Sequence, residues 1–184
     1  MERIKVKDLM VPLDQYVCVS QDDTLYEAVV ELEQAQAKYV SKGYPHRAVL
    51  VCDKDGRVVG KLAYLDVLRA LEPRYSELSD LKKVSGFGLS SEFMKSTLDR
   101  YELWKAPLDD LCLKAAQVQL GTIVSAPLEG EVIDQNSTLD KAVHQMIMGH
   151  HQSLLVTSAE GIIGILRLTD VFKEVSDRIK ACKV

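Results

Sequence analysis

The stretch "TLYEAVVEL", Thr24 to Leu32, returns 114 positions later as "TLDKAVHQM", Thr138 to Met146. Leu25, Ala28, Val29 and Leu32 coincide with Leu139, Ala142, Val143 and Met146. Steps of three, one and three trace a single helical face, so each stretch predicts an amphipathic helix burying the same stripe. Matching Thr, Leu, Ala and Val in the same order marks an internal repeat. The same displacement sets Val17 and Val19 against Glu131 and Ile133, a short strand ahead of each helix.

Beyond the helices the offset shortens. "AVLVCDKDG" from Ala48 matches "SLLVTSAEG" from Ser153 at 105 positions, and "GKLAYLD", Gly60–Asp66, matches "GILRLTD", Gly164–Asp170, at 104. The first copy therefore carries nine extra residues after its helix and one in its hairpin, both places where loops absorb insertions. Glycine-containing turns, "DKDG" and "SAEG", join apolar runs as hairpins do. Each copy reads β-α-β-β-α. Units this small bury little alone, so the two sheets are expected to pack together about an approximate two-fold axis, which creates two equivalent clefts.

The chain has 184 residues, of which 47% are hydrophobic, ample for a buried core. Its net charge of -4 offers no basic footprint for nucleic acid, which makes that partner an unlikely one. The start "MERIKVKDLM" lacks the apolar core of a signal peptide, and no run approaches the roughly 18 apolar residues of a membrane span. A cytoplasmic protein with no membrane partner is expected. Cys18, Cys52, Cys112 and Cys182 show no CxxC spacing, so the reading is buried or idle thiols rather than a zinc site or disulfide framework, with Cys52 inert at the end of a buried strand.

Three segments follow: repeat 1 over 1–71, a helical insertion over 72–117 and repeat 2 over 118–184. In the insertion, Phe93, Leu98, Tyr101 and Trp104 recur at helical intervals between Glu92 and Lys105, and Pro107 stops the pattern. A second short helix is expected with Leu108, Leu111, Cys112 and Ala115 on one side, and "SGFG" from Ser85 reads as a hinge or turn. The aromatic stripe either covers the core of its own chain or offers a docking surface.

No GxSxG, P-loop, HExxH or strand-linked GxGxxG occurs, so an enzyme is not expected. His144, His150 and His151 have no Cys or carboxylate at a ligand spacing, so no metal site is expected either.

The element order, the helix starts "DTLYEAV" and "STLDKAV", the hairpins and the closing glycine-to-aspartate stretches together resemble a tandem pair of CBS (cystathionine β-synthase) domains, from about Lys5 to Leu71 and Val118 to Lys180. The fold the resemblance implies is α/β (α+β): two β-α-β-β-α CBS repeats packed sheet to sheet with pseudo-two-fold symmetry, plus the inserted helices.

It also implies a function. In the family, the aspartate matched by Asp66 and Asp170 contacts the ribose of a bound adenine nucleotide; an ionised carboxylate accepts both ribose hydroxyls. The plainer reading is a helix cap, worth about 1 kcal/mol. Nucleotide-binding members carry Ser or Thr three residues earlier, where this chain has Ala63 and Arg167; Thr169 stands beside Asp170, outside that position. "PHRAVLVCD" resembles the His-Arg strand of nucleotide-sensing repeats such as those of the AMP-activated protein kinase regulatory subunit, whose basic pair reaches phosphates. His46 and Arg47 match it, and His151 recurs where Gln152 replaces the arginine. Asp66, Arg47 and His46 would then serve one copy and Asp170, Arg167 and His151 the other. The bland alternatives are a buried hydrogen-bonding histidine and a solvated arginine. Val17, Val19, Val132 and Ile133 are candidate neighbours of the adenine.

The resemblance thus implies a regulatory module with AMP, ADP, ATP or S-adenosylmethionine as ligand, no required cofactor, a homodimer, and an unidentified partner that it regulates. The alternative is a pair that has lost its ligand and serves dimerisation or docking.

Overall fold

In the computed structural model, which describes residues 4–39, 46–75 and 90–182, the two copies form two sheets packed face to face with helices outside. The "SGFG" turn lies outside the described residues. After a short extended segment, β1 (Val11–Pro12), the first half runs β2 (Cys18–Ser20), α1 (Leu25–Tyr39), β3 (Ala48–Cys52), β4 (Val58–Ala63) and α2 (Tyr64–Ala70). The insertion holds α3 (Ser91–Arg100) and α4 (Leu108–Ala116), and a short α5 (Leu120–Ile123) follows at the start of the second half. The second half repeats the first as β5 (Val132–Asp134), α6 (Leu139–Gly149), β6 (Ser153–Ser158), β7 (Gly161–Arg167) and α7 (Leu168–Ala181).

Each half pairs its first strand parallel and its hairpin antiparallel, giving the orders β2-β3-β4 and β1-β7-β6-β5. Both hairpins shift register at the same place, between Val51 and Cys52 and between Val156 and Thr157. Thr24 and Glu27 start α1 by bonding each other's backbone N–H groups, a reciprocal cap that Lys141 cannot supply in the second copy. Helix α1 has 15 residues and α6 has 11, so part of the extra length expected after the first helix lies in the helix itself.

The halves exchange straps. Val6 and Lys7 donate to the carbonyls of Ser137 and Gln135, and Leu139 donates back to Ile4. The equivalent bonds at the other end run from Leu120 to Asp23, Gly121 to Gln21 and Leu25 to Val118. Val6 and Leu120 plug the opposite cores with 0% exposure. Strand β1, at the start of the chain, likewise completes the sheet of the second half. Each helical core is thus closed by a segment attached to the other half, which is how two small units share enough apolar surface.

Between the sheets Tyr16, Leu50, Leu155 and Ile165 form a third buried cluster. Burying a large aliphatic side chain contributes roughly 1.5–3 kcal/mol, so this layer welds the halves together.

The structure changes three expectations about the rest of the chain. Cys18 and Cys52 are joined in a disulfide across β2 and β3, with Cα atoms 6.3 Å apart, whereas both had been expected as idle thiols. Strand pairing carries them together from 34 positions apart, a proximity no local spacing reveals. Helix α3 stops at Arg100 instead of Lys105. Glu72, 2% exposed, takes the N–H of Trp104 at 3.0 Å and forks onto Arg74, which in turn holds the carbonyl of Tyr101 at 3.2 Å. Those bonds bend the chain through left-handed conformations at Glu102 and Trp104, so Leu103 is buried while Trp104 stays 39% exposed. On α4, Ala115 packs inward, but Leu108 and Cys112 are exposed.

Candidate ligand clefts between the two halves

The glycines that open the two recurring stretches serve the exchanged straps. A Cβ on Gly164 would stand 2.6 Å from the carbonyl oxygen of Val11, and one on Gly60 would stand 2.5 Å from Val124 Cγ1 and 3.0 Å from the Ser125 oxygen. The straps therefore cross the strands at a distance only glycine permits. Each strand then runs straight into its helix, which delivers the aspartate.

Neither aspartate precedes its helix. Asp66 is the third residue of α2, and its Oδ2 accepts the N–H of Ala63 at 2.9 Å. This is the carboxylate half of a capping interaction. Its Oδ1 accepts from Arg69 at 3.0 Å. Asp170 is the third residue of α7 and is held differently. Arg167 Nε lies 2.6 Å from one carboxylate oxygen and Nη2 lies 2.8 Å from the other, a two-pronged charge-assisted pair.

The histidines serve the opposite copies from those expected. The side chain of His46 meets Arg167, with Nη1 3.5 Å from Nδ1, and packs edge-on against Tyr16 at a ring distance of 4.2 Å. His46 is wholly buried, and burial, seconded by the Arg167 charge, lowers its pKa to about 4. It is therefore neutral at pH 7. Burial raises the pKa of the Tyr16 phenol as well.

His151 belongs instead with Lys61 and Glu131. Burial first, and the Lys61 charge second, lower its pKa. Lys61 donates to the Ser153 carbonyl across the sheet interface at 2.8 Å and lies 3.9 Å from Glu131. Its side chain is 13% exposed, and burial lowers its pKa against the pull of Glu131 and Asp66. One cleft thus assembles Tyr16, His46, Arg167 and Asp170; the other assembles Lys61, Asp66, Glu131 and His151. The groupings of His46 with Asp66 and of His151 with Asp170 are replaced by these cross-copy ones, because sheet-to-sheet packing turns each strand's entrance toward the opposite hairpin.

Arg47 is exposed and Thr169 half-buried. Val19 and Ile133 point into the helical cores, 5% and 3% exposed, so they are not slot walls, as alternation along a strand dictates. Val17 and Val132 are half-buried, the former against the same helical core as Val19 and the latter against the layer between the sheets. Sequence reasoning missed Tyr16, Lys61 and Glu131. The signal for Lys61 was a cation inside the apolar strand "VVGKLA", at the position of Ile165 in the other copy.

Among the described residues no cluster of His, Cys, Asp or Glu fit for a metal ion occurs, and no helix is long and apolar enough to cross a membrane.

No protein of curated function matches the chain in sequence. Solved structures are similar in fold. A CBS domain-containing protein of Bacillus anthracis is 15% identical, with a TM-score of 0.62, the match covering 95% of this chain and 94% of that one. The CBS-domain protein ATU1752 of Agrobacterium tumefaciens is 21% identical over 92% and 91% of the two chains, with a TM-score of 0.55. CBSX2, solved in complex with AMP, is 18% identical over 96% and 98%, with a TM-score of 0.57. A family model of the CBS domain matches residues 6–73 and again residues 123–177. The strand and helix repeats, the clefts between them and this double match make the chain a member of the CBS-domain family, built as a tandem CBS pair.

Proposed function

We propose that this CBS pair is a regulatory, non-catalytic module of the cytoplasm that binds an adenine nucleotide or related adenosyl ligand and passes its occupancy to a partner protein. The observation that carries the reading is the pair of carboxylates, Asp66 and Asp170, each in the first turn of its helix with a histidine of the opposite half at its cleft. At the Asp66 cleft the donor set suits a nucleotide. The carboxylate is 33% exposed for a ribose, and the Lys61 ammonium has three donors, of which one short bond goes to Ser153. Val132, half-buried against the layer between the sheets, remains as an apolar neighbour for the base. AMP in the similar structure of CBSX2 supports the same ligand class. AMP, ADP, ATP and S-adenosylmethionine are the candidates.

A ligand bound between the halves regulates only if it favours one arrangement over another. Exposed apolar side chains on α2 and α7, Leu68 and Phe172 among them, supply a surface through which a homodimer or the regulated partner would sense that choice. A second reading, a ligand-free dimerisation or docking module, draws on Ala63 and on the pairing of Asp170 with Arg167.

Thermal-shift and calorimetric titrations with the four compounds separate the readings. Ligand binding raises the melting temperature by mass action. Asp66→Ala should weaken the bound compound beyond what the loss of a cap, about 0.5–2 kcal/mol, does to the fold. Silence from all four at millimolar concentration leaves the docking reading.

A further inference from the structure

The repeat offsets turn the two clefts into four pairs of equivalent positions: Tyr16 with Gly130, His46 with His151, Arg167 with Ala63, and Asp170 with Asp66. In the first cleft these positions form a connected chain. The Tyr16 ring touches His46, His46 touches Arg167, and Arg167 grips both oxygens of Asp170. In the second cleft the same chain is cut twice. Gly130 has no side chain beside His151, and Ala63 offers only a methyl group in place of the guanidinium.

We propose that Arg167 is a built-in occupant of the Asp170 cleft, so that each chain takes a single adenine nucleotide, at the Asp66 cleft. This inference rests on the nucleotide reading above and says which of its two clefts operates.

The two aspartates are both paired with arginine, but not comparably. Arg69 touches Asp66 through one nitrogen and its side chain is 54% exposed, an arrangement that water competes for and that a ligand parts easily. Arg167 and Asp170 are 14% and 19% exposed and joined by two short bonds. A ribose would have to match both bonds and leave a shielded guanidinium without its counter-charge. Tyr16 and Arg167 also fill places that hold only Gly130 and Ala63 across the axis.

Donors divide the same way. At the Asp170 cleft the Arg167 guanidinium is engaged by both carboxylate oxygens of Asp170. At the other cleft the shielded Lys61 ammonium stands near Asp66, and its approach to Glu131 at 3.9 Å is longer than a hydrogen bond.

The test is calorimetric titration of the full chain with AMP and with ATP, for the wild type, Asp66→Asn and Arg167→Ser. Expected are one site per chain in the wild type, at least a tenfold loss of affinity in Asp66→Asn, and two sites per chain in Arg167→Ser. If circular dichroism shows Arg167→Ser unfolded, Arg167→Gln, whose uncharged amide NH2 can still donate to Asp170, takes its place with the same expected count. Two wild-type sites, or one site unmoved by Asp66→Asn, overturn the inference and leave nucleotide binding standing. An arginine variant that still takes one nucleotide overturns the role of Arg167. A wild type that takes up neither nucleotide overturns this inference, and silence from ADP and S-adenosylmethionine as well removes the ligand reading itself.

Discussion

The carbonyl oxygen of Val11 sits where Gly164 would carry its side chain, 2.6 Å from the site of a Cβ. Val11 belongs to the strap crossing from the first half, and it pairs with Ile165 in the register of the second sheet. The glycine is therefore an interface residue between halves rather than a turn residue. Gly164→Ala forces the backbone of the strap outward, and overpacking of this kind costs about 1–3 kcal/mol. At Gly60 the nearest obstacle, Val124 Cγ1, is a side chain that rotates more readily, although the Ser125 oxygen follows at 3.0 Å. The expected order of urea midpoints is wild type, then Gly60→Ala, then Gly164→Ala. Equal midpoints for all three would mean that the straps sit more loosely than their hydrogen bonds indicate.

His46 makes the fold sensitive to mild acid. Its folded pKa is about 4, whereas an exposed histidine of the unfolded chain titrates near 6.5. Between those values the unfolded chain takes a proton that the folded one refuses. Stability is therefore lost as pH falls from about 6.5 toward about 4, and below that window this group adds no further change. The shift corresponds to about 3 kcal/mol. Chemical denaturation at pH 7 and pH 4.5 should show a larger drop for the wild type than for His46→Gln. Parallel drops would assign the acid sensitivity to other groups.

Much of this architecture was legible because the chain says it twice. One helical stripe, repeated with its flanking strands, reveals the element order, and the order points to two sheets facing one another. What stayed hidden depends on contacts between distant segments. Val6 and Leu120 also lie 114 positions apart, but "KVKDLM" and "QLGTIV" share too little chemistry to announce equivalent straps. The cross-copy partnership of His46 with Arg167 arises from packing, which no offset within one copy contains. The end of α3 is set by Glu72, far back in the chain, which captures the Trp104 N–H and leaves no local signal in the helical spacing. Asp66 and Asp170 were found by position, while their different partners, Arg69 and Arg167, became meaningful only with exposures attached.

The Cys18–Cys52 bond closes a loop of 34 positions at the edge of the first sheet, where Cys18 is exposed and β2 is the outer strand. By loop-closure entropy such a link stabilises by about 3–4 kcal/mol. Dithiothreitol should lower the melting temperature of the wild type and leave Cys18→Ser unmoved. The bond also bears on the proposed cytoplasmic setting, since reducing compartments keep most thiols free. Alkylation of acid-quenched cells, read by mass spectrometry, is expected to label Cys112 and Cys182 and spare Cys18 and Cys52. Labelling of all four would mean that the bond forms only after the protein leaves the cell.

Equivalent apolar side chains on α2 and α7 suit the chain to self-association. Leu68 on α2 is 54% exposed and Phe172 on α7 is 63% exposed, and the offset of 104 makes them equivalent positions. One turn earlier Tyr64 and Leu168, again equivalent, are each 43% exposed. Neither pair closes a core of its own half, yet both copies retain a large apolar side chain at both places. A face that carries the same apolar pair on both sides of a pseudo-two-fold axis is suited to meet a second copy of itself. Light scattering at micromolar concentration should therefore report twice the chain mass of 20.5 kDa. The double variant Leu68→Glu, Phe172→Glu should return the single-chain mass with the circular dichroism spectrum unchanged, because both side chains stand largely in water before association. A wild type that scatters as a single chain would remove the homodimer and leave this face to a different partner.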